Sequence, residues 1–212
     1  MSMKKTFLFI AVAITISLFL ACTGKNSTIN PEDPDDPQPI VKGEPCGKNL
    51  YWVYDEQTFT LDITGEGAMF DFDTIGPWSY IEEWGDPHIF EIKEIHLPEG
   101  ITHIGSRAFH EAAVTDIVIP NSVKTIGDRA FESSDLENII IGEGCTNIGD
   151  YAFGSYEIKR VICYAAIPPA LGSYTFYYRG GTPSYSIYVP SRSVDAYKSD
   201  SRWGEYNIVA LP

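Results

Sequence analysis

The sequence predicts a mainly β repeat solenoid: short strands and turns, few short helical turns, a β-hairpin cap before the coils and a second cap after them. Three observations predict it. The hexapeptide Ile104-Gly105-Ser106-Arg107-Ala108-Phe109 returns as Ile126-Gly127-Asp128-Arg129-Ala130-Phe131 and as Ile148-Gly149-Asp150-Tyr151-Ala152-Phe153, a step of 22 residues each time. A fixed period of that size marks coils that bury their faces on one another. Four apolar rows keep the same step: Ile92, Val114, Leu136, Ile158; Ile95, Ile117, Ile139, Val161; Leu97, Ile119, Ile141, Cys163; and Ile101, Val123, Cys145, Ile167. Finally, the second and third rows alternate with outward positions and are rich in β-branched residues, and a Pro or Gly follows in the early coils, which reads as strand then turn.

Residues 1–21 precede the fold as a targeting segment. Lys4 and Lys5 lead into an apolar run from Phe7 to Leu20 that is short for a membrane span of about 20 residues. Residues 22–45 form a tether: five prolines from Pro31 to Pro45 alternate with acids, a composition that cannot build a core. Residues 46–90 are the N-terminal cap. Leu50, Trp52 and Tyr54 alternate, as do Phe59, Leu61 and Ile63, predicting a hairpin over the first coil's open edge. Met69, Phe70, Trp78, Tyr80, Ile81 and Trp84 are expected to fill the cap core, with a carbohydrate-stacking platform as the alternative. Residues 91–176 hold the coils, where Gly105, Gly127 and Gly149 are expected at corners of positive φ. The period breaks in residues 177–212: Ile187 follows Val161 by 26 residues, so a Tyr-, Gly- and Ser-rich loop is inserted before a closing strand and a short helix around Ser193 to Lys198.

These motifs as a set resemble the BspA-like leucine-rich repeat, a family of bacterial surface proteins. The resemblance rests on the three hexapeptides with Pro98 and Pro120 upstream. Cys46 to Trp52 with Thr60 to Gly67 is similar to the segment that precedes the first coil in that family, and Ile187 to Tyr197 with Trp203 is similar to its closing unit. It implies a right-handed solenoid, no common catalytic residues, and adhesion or host-protein contact for some members. Phe19-Leu20-Ala21-Cys22 resembles the bacterial lipobox, with Phe19 where Leu is usual. That implies cleavage before Cys22 and lipidation of Cys22; the alternative is an ordinary secretory signal. The expected location is therefore the outer membrane and cell surface of a Gram-negative bacterium, with the membrane reached only through the lipid.

The formal net charge is −14, from 15 basic and 29 acidic side chains. That balance argues against nucleic acid and anionic lipid as partners. Cys46, Cys145 and Cys163 are odd in number, and the latter two sit in apolar rows, so they read as buried thiols. No metal-ligand spacing accompanies them, and neither a metal nor a cofactor is expected. His96, His103 and His110 recur every seven residues but fall on different sides of a 22-residue coil. No hydrolase or phosphate-loop motif occurs, so no enzymatic activity is expected.

A repeat protein recognises partners on its stacked strands. The outward strand positions form two rows: His96, Val118, Ile140, Ile162 and Tyr188, and beside them Glu94, Asp116, Asn138 and Arg160. An apolar ladder flanked by a polar row, acidic at one end and basic at the other, is the first candidate for binding a protein or glycan. Its alternative is β-branched residues packing on one another across a sheet, in a passive structural spacer that binds no ligand. The second candidate is the loop with Tyr177, Tyr178, Arg179 and Tyr185, whose composition suits adaptable binding loops.

Overall fold

The computed structural model describes residues 44–55, 57–81, 87–89, 92–155, 157–176 and 185–212. The targeting segment, Cys22, nearly all of the tether, and Tyr177, Tyr178 and Arg179 lie outside the described residues. So do the side chains of Tyr80, Ile81 and Trp84.

The cap opens with β1 (Glu44–Pro45), antiparallel to β2 (Leu50–Asp55), and β2 forms the expected hairpin with β3 (Thr60–Gly65). Leu50, Leu61 and Ile63 are buried, and the Asp55 carboxylate holds the turn by accepting the Gln57 N–H at 2.8 Å. A two-residue strand, β4 (Gly67–Ala68), follows, then a separate hairpin of β5 (Ser79–Ile81) and β6 (Pro87–Ile89). Met69 and Trp78 enter the core as expected, whereas Phe70 does not and is 49% exposed. Successive side chains of extended backbone point opposite ways, so burying Met69 turns Phe70 outward.

Each coil then contributes a front strand and a back strand. The pairs are β7 (Glu94–His96) with β8 (Ile101–Ile104), β9 (Asp116–Ile119) with β10 (Thr125–Ile126), β11 (Asn138–Ile141) with β12 (Asn147–Ile148), and β13 (Arg160–Cys163) with β14 (Ala170–Leu171). The closing unit adds β15 (Ser186–Val189), the helix α1 (Val194–Ser199) and β16 (Asn207–Ala210). The back sheet runs β14-β12-β10-β8-β4 and one front sheet runs β16-β15-β13-β11-β9. The sequence period sets the register: Ile117 lies opposite Ile139 and Ile139 opposite Val161, while Ile104 lies opposite Ile126 and Ile126 opposite Ile148, all in parallel ladders. Val161 pairs with Ile187, so the closing strand resumes the ladder despite the inserted loop.

The third side of the stack is an aromatic column. Phe109 stacks on Phe131 at 5.0 Å, Phe131 on Phe153 at 5.3 Å, and Phe153 on Phe176 at 5.5 Å. Trp78 closes one end of the column at 5.0 Å from Phe109, and Trp203 closes the other at 5.7 Å from Phe176. Ala108, Ala130 and Ala152 are wholly buried beside these rings.

Two expectations about the coils fail. The positive φ angles fall not on Gly105, Gly127 and Gly149 but two residues later, at Arg107 (54°), Arg129 (57°) and Tyr151 (53°). Those glycines serve close approach instead: a Cβ on Gly127 would run into the Ser106 backbone, and one on Gly105 into the Phe70 carbonyl. The fourth row also loses its last member, because Ile167 is 81% exposed. The following Pro168-Pro169 pushes Ile167 into extended backbone, and in this turn Ala165 and Pro169 are the buried residues. The three described cysteines are free and buried, and burial pushes the Cys46 and Cys145 thiols up to about 12, leaving them inert.

Candidate functional site

The polar row on the front sheet is aligned by register: Asp116 opposite Asn138, and Asn138 opposite Arg160. Asn138 Nδ2 donates to Asp116 Oδ1 at 2.8 Å, the Thr115 hydroxyl donates to Asp116 Oδ2 at 2.7 Å, and Arg160 extends over the Tyr188 ring at 5.1 Å. The apolar row beside it places Val118, Ile140, Ile162 and Tyr188 in line. Val118 is 60% exposed and Ile140 and Tyr188 are half-buried, but Ile162 is only 7% exposed. Ile162 is thus removed from the candidate row. It lies between Ile140 and Tyr188, with the Arg160 guanidinium folded toward the same ring, so its neighbours cover it as cross-strand packing would.

The row also stops short of β7. Glu94 and His96 belong to a different sheet, β1-β2-β3-β7, in which Thr60 lies opposite Glu94 and Asp62 opposite His96. Two local features oppose a ladder between β7 and β9. At the position where Gly142 donates to the Ile119 carbonyl and Tyr164 to the Ile141 carbonyl, Pro120 has no N–H for Leu97. Pairing would also set Glu94 against Asp116, and like charges directly opposed destabilise a sheet. His96 turns to the cap instead, with Nε2 3.0 Å from Glu94 Oε1 and Nδ1 2.7 Å from Asp62 Oδ1. The Glu94 and Asp62 hydrogen bonds raise its pKa above the ordinary histidine value.

Between the parted strands lies a cleft of about 590 Å³, lined by Lys93 to Leu97 on one side and Asp116, Val118 and Pro120 on the other. It adjoins a second concavity of about 500 Å³ through Glu99, Val118 and Pro120; this one reaches Ile140, Tyr164, Pro190 and Arg192. Sequence reasoning missed Tyr164, Pro190 and Arg192. Tyr164 had a signal, since Pro98, Pro120, Gly142 and Tyr164 form one more column at the 22-residue step, just past each strand, whereas Pro190 and Arg192 fall beyond the break in the period.

The remaining candidates separate. Tyr185 is buried and its hydroxyl donates to the Phe176 carbonyl at 3.1 Å, so it is an anchor of the closing unit and not a loop contact. His96, His103 and His110 occupy the front strand, the back strand and the aromatic corner. Nδ1 of His103 lies 2.6 Å from the Thr125 hydroxyl, and Nε2 of His110 lies 3.5 Å from Glu132. Among the described residues no group of three or more His, Cys, Asp or Glu side chains could hold a metal ion.

The family model described as the BspA type leucine rich repeat region matches residues 88–192, in six copies. The coils of this chain are BspA-type leucine-rich repeats. Leucine-rich repeats stack their short strands into one extended face, and the front sheet is the stacked-strand face here. A leucine-rich repeat protein from Eubacterium ventriosum ATCC 27560, known from its crystal structure, aligns over 70% of this chain at 22% identity and a TM-score of 0.46. The aligned part is 44% of that protein's length, so the chain spans less than half of it. No curated protein matches the chain.

Proposed function

We propose that this leucine-rich repeat chain is a lipid-anchored surface protein that recognises a protein partner on its front sheet. The observation that carries the reading is the exposed apolar line from Val118 past Ile140, set beside the Asp116–Asn138–Arg160 row and opening into the concavity of Tyr164 and Arg192. An apolar centre with a charged rim is the anatomy of a protein interface. Acids lie toward the cap and Arg160 and Arg192 toward the closing unit, so a partner with the opposite gradient is steered into one orientation. The anchor is carried by Cys22, which places the tether between lipid and coils.

An array of surface and extracellular proteins probed with the full chain is expected to return a binder. Ile140→Asp should weaken that binder by more than thirtyfold, the roughly 2 kcal/mol of a hot spot, and leave the unfolding midpoint nearly unchanged. Loss of folding in this variant would make the row core and remove the site. In the same cells, Cys22→Ala is expected to release the chain from the membrane fraction.

A further inference from the structure

The cleft between β7 and β9 is a break in an otherwise continuous stack, and its two walls are sheet edges. In a parallel ladder each residue directs both backbone groups to one neighbour, and successive residues alternate. Asn138 N–H donates to the Thr115 carbonyl and Gly142 N–H to the Ile119 carbonyl, so the odd-numbered residues of β9 serve β11. The backbone groups of Asp116 and Val118 therefore face the cleft. Glu94 N–H is directed to the Phe59 carbonyl on the cap side, so Glu94 and His96 serve β3, and Ile95 and Leu97 face the cleft. No ladder joins the two walls among the described residues.

The same two coils remain in contact at the back sheet and at the aromatic corner. Thr125 lies opposite His103 and Ile126 opposite Ile104 in the back sheet. At the aromatic corner Phe109 N–H donates to the Ala130 carbonyl at 2.7 Å, and Arg107 N–H to the Asp128 carbonyl at 3.0 Å. The break is thus a slot floored by the back sheet and open on the strand side. The β7 wall is wetter than the matching core positions: Ile95 is 8% exposed where its row-mates Ile117, Ile139 and Val161 are 2% or less, and Leu97 is only partly buried.

We propose that this slot takes an extended segment of a protein partner as an added strand, bonded to both walls. A strand residue occupies roughly 160 Å³ at the usual rise, strand spacing and sheet thickness, so the cleft of about 590 Å³ holds three or four. An inward side chain of that segment covers Ile95 and Leu97. Glu94, Glu99 and Asp116 line the slot against Lys93, with His96 between, so the segment carries Lys or Arg beside its apolar residues. The chain's own tether is the wrong occupant: it is acidic, and its prolines lack the N–H groups the walls require. This mode of capture deepens the strand-face reading but rests on different atoms, since it reads a backbone through Asp116 and Val118 and does not need Ile140.

The test is selection from a display library of random decapeptides on the full chain. Enriched peptides should alternate β-branched residues with Lys or Arg and should lack Pro centrally. Methylating alternate backbone nitrogens of a selected peptide should weaken it by at least about tenfold, as lost backbone hydrogen bonds require. Val118→Pro, which removes one wall N–H, should weaken it similarly, while Ile140→Asp leaves it unchanged. If Val118→Pro lowers the unfolding midpoint, the methylated peptides on the unaltered chain carry the test alone. No enrichment, or binding that survives N-methylation, overturns strand addition. Binding abolished by Ile140→Asp but indifferent to N-methylation also overturns it, and would support docking on the face alone.

Discussion

His96 shows how a single side chain was read in the right place and given the wrong neighbours. Its strand position was legible from the alternation, but Asp62, one of its two partners, comes from the cap hairpin 34 residues earlier, and no local pattern reports such a pairing. Its folded pKa is raised, so its contribution to stability is complete below the ordinary value of about 6.5 and is lost as pH rises through the folded pKa. Because the ring is half exposed, that contribution is small. Glu94→Gln and Asp62→Asn should each bring the His96 titration, followed by NMR, back toward the ordinary value, with Glu94→Gln the larger step.

At the scale of one coil, the glycines were legible as required and misread as to why. The repeat keeps Gly at 105, 127 and 149, but positive φ and close approach leave the same mark in a sequence. The structure separates them: the left-handed residue is Arg129, and Gly127 lies against Ser106 of the preceding coil. Gly127→Ala is therefore expected to cost about 1–3 kcal/mol through overpacking between coils, measured by chemical denaturation. Gly154→Ala, which meets looser surroundings, should cost clearly less. The front row was legible in the same partial way. Its members share a face as the period of two dictates, yet the gap after His96 depends on Pro120 and on Glu94 meeting Asp116. Each was visible in the sequence, but the balance between a lost bond, a repulsion and the pull of the cap is decided only in three dimensions.

Over the whole molecule, the sequence read best where one rule repeats. The Phe column and the parallel registers follow from a constant interval, and the interval is explicit. The exceptions gather where it lapses, at Pro168-Pro169 and between Val161 and Ile187, and Tyr185 shows the consequence: a residue assigned to a loop is a buried anchor. Acidic composition was informative mainly by exclusion, and the slot's carboxylates give it a local use.

The regular interval also means that Phe109 meets Phe131 much as Phe131 meets Phe153, so the middle coils are interchangeable parts. A duplicate of residues 127–148 inserted after Ile148 finds a ready-made mate above and below. It should lengthen the stack by about 4.8 Å, one strand spacing, which small-angle scattering would register. The unfolding midpoint should rise, and the opening beside β7 should stay as it is. Such a molecule can be enlarged from its middle by copying its own text, leaving both ends untouched.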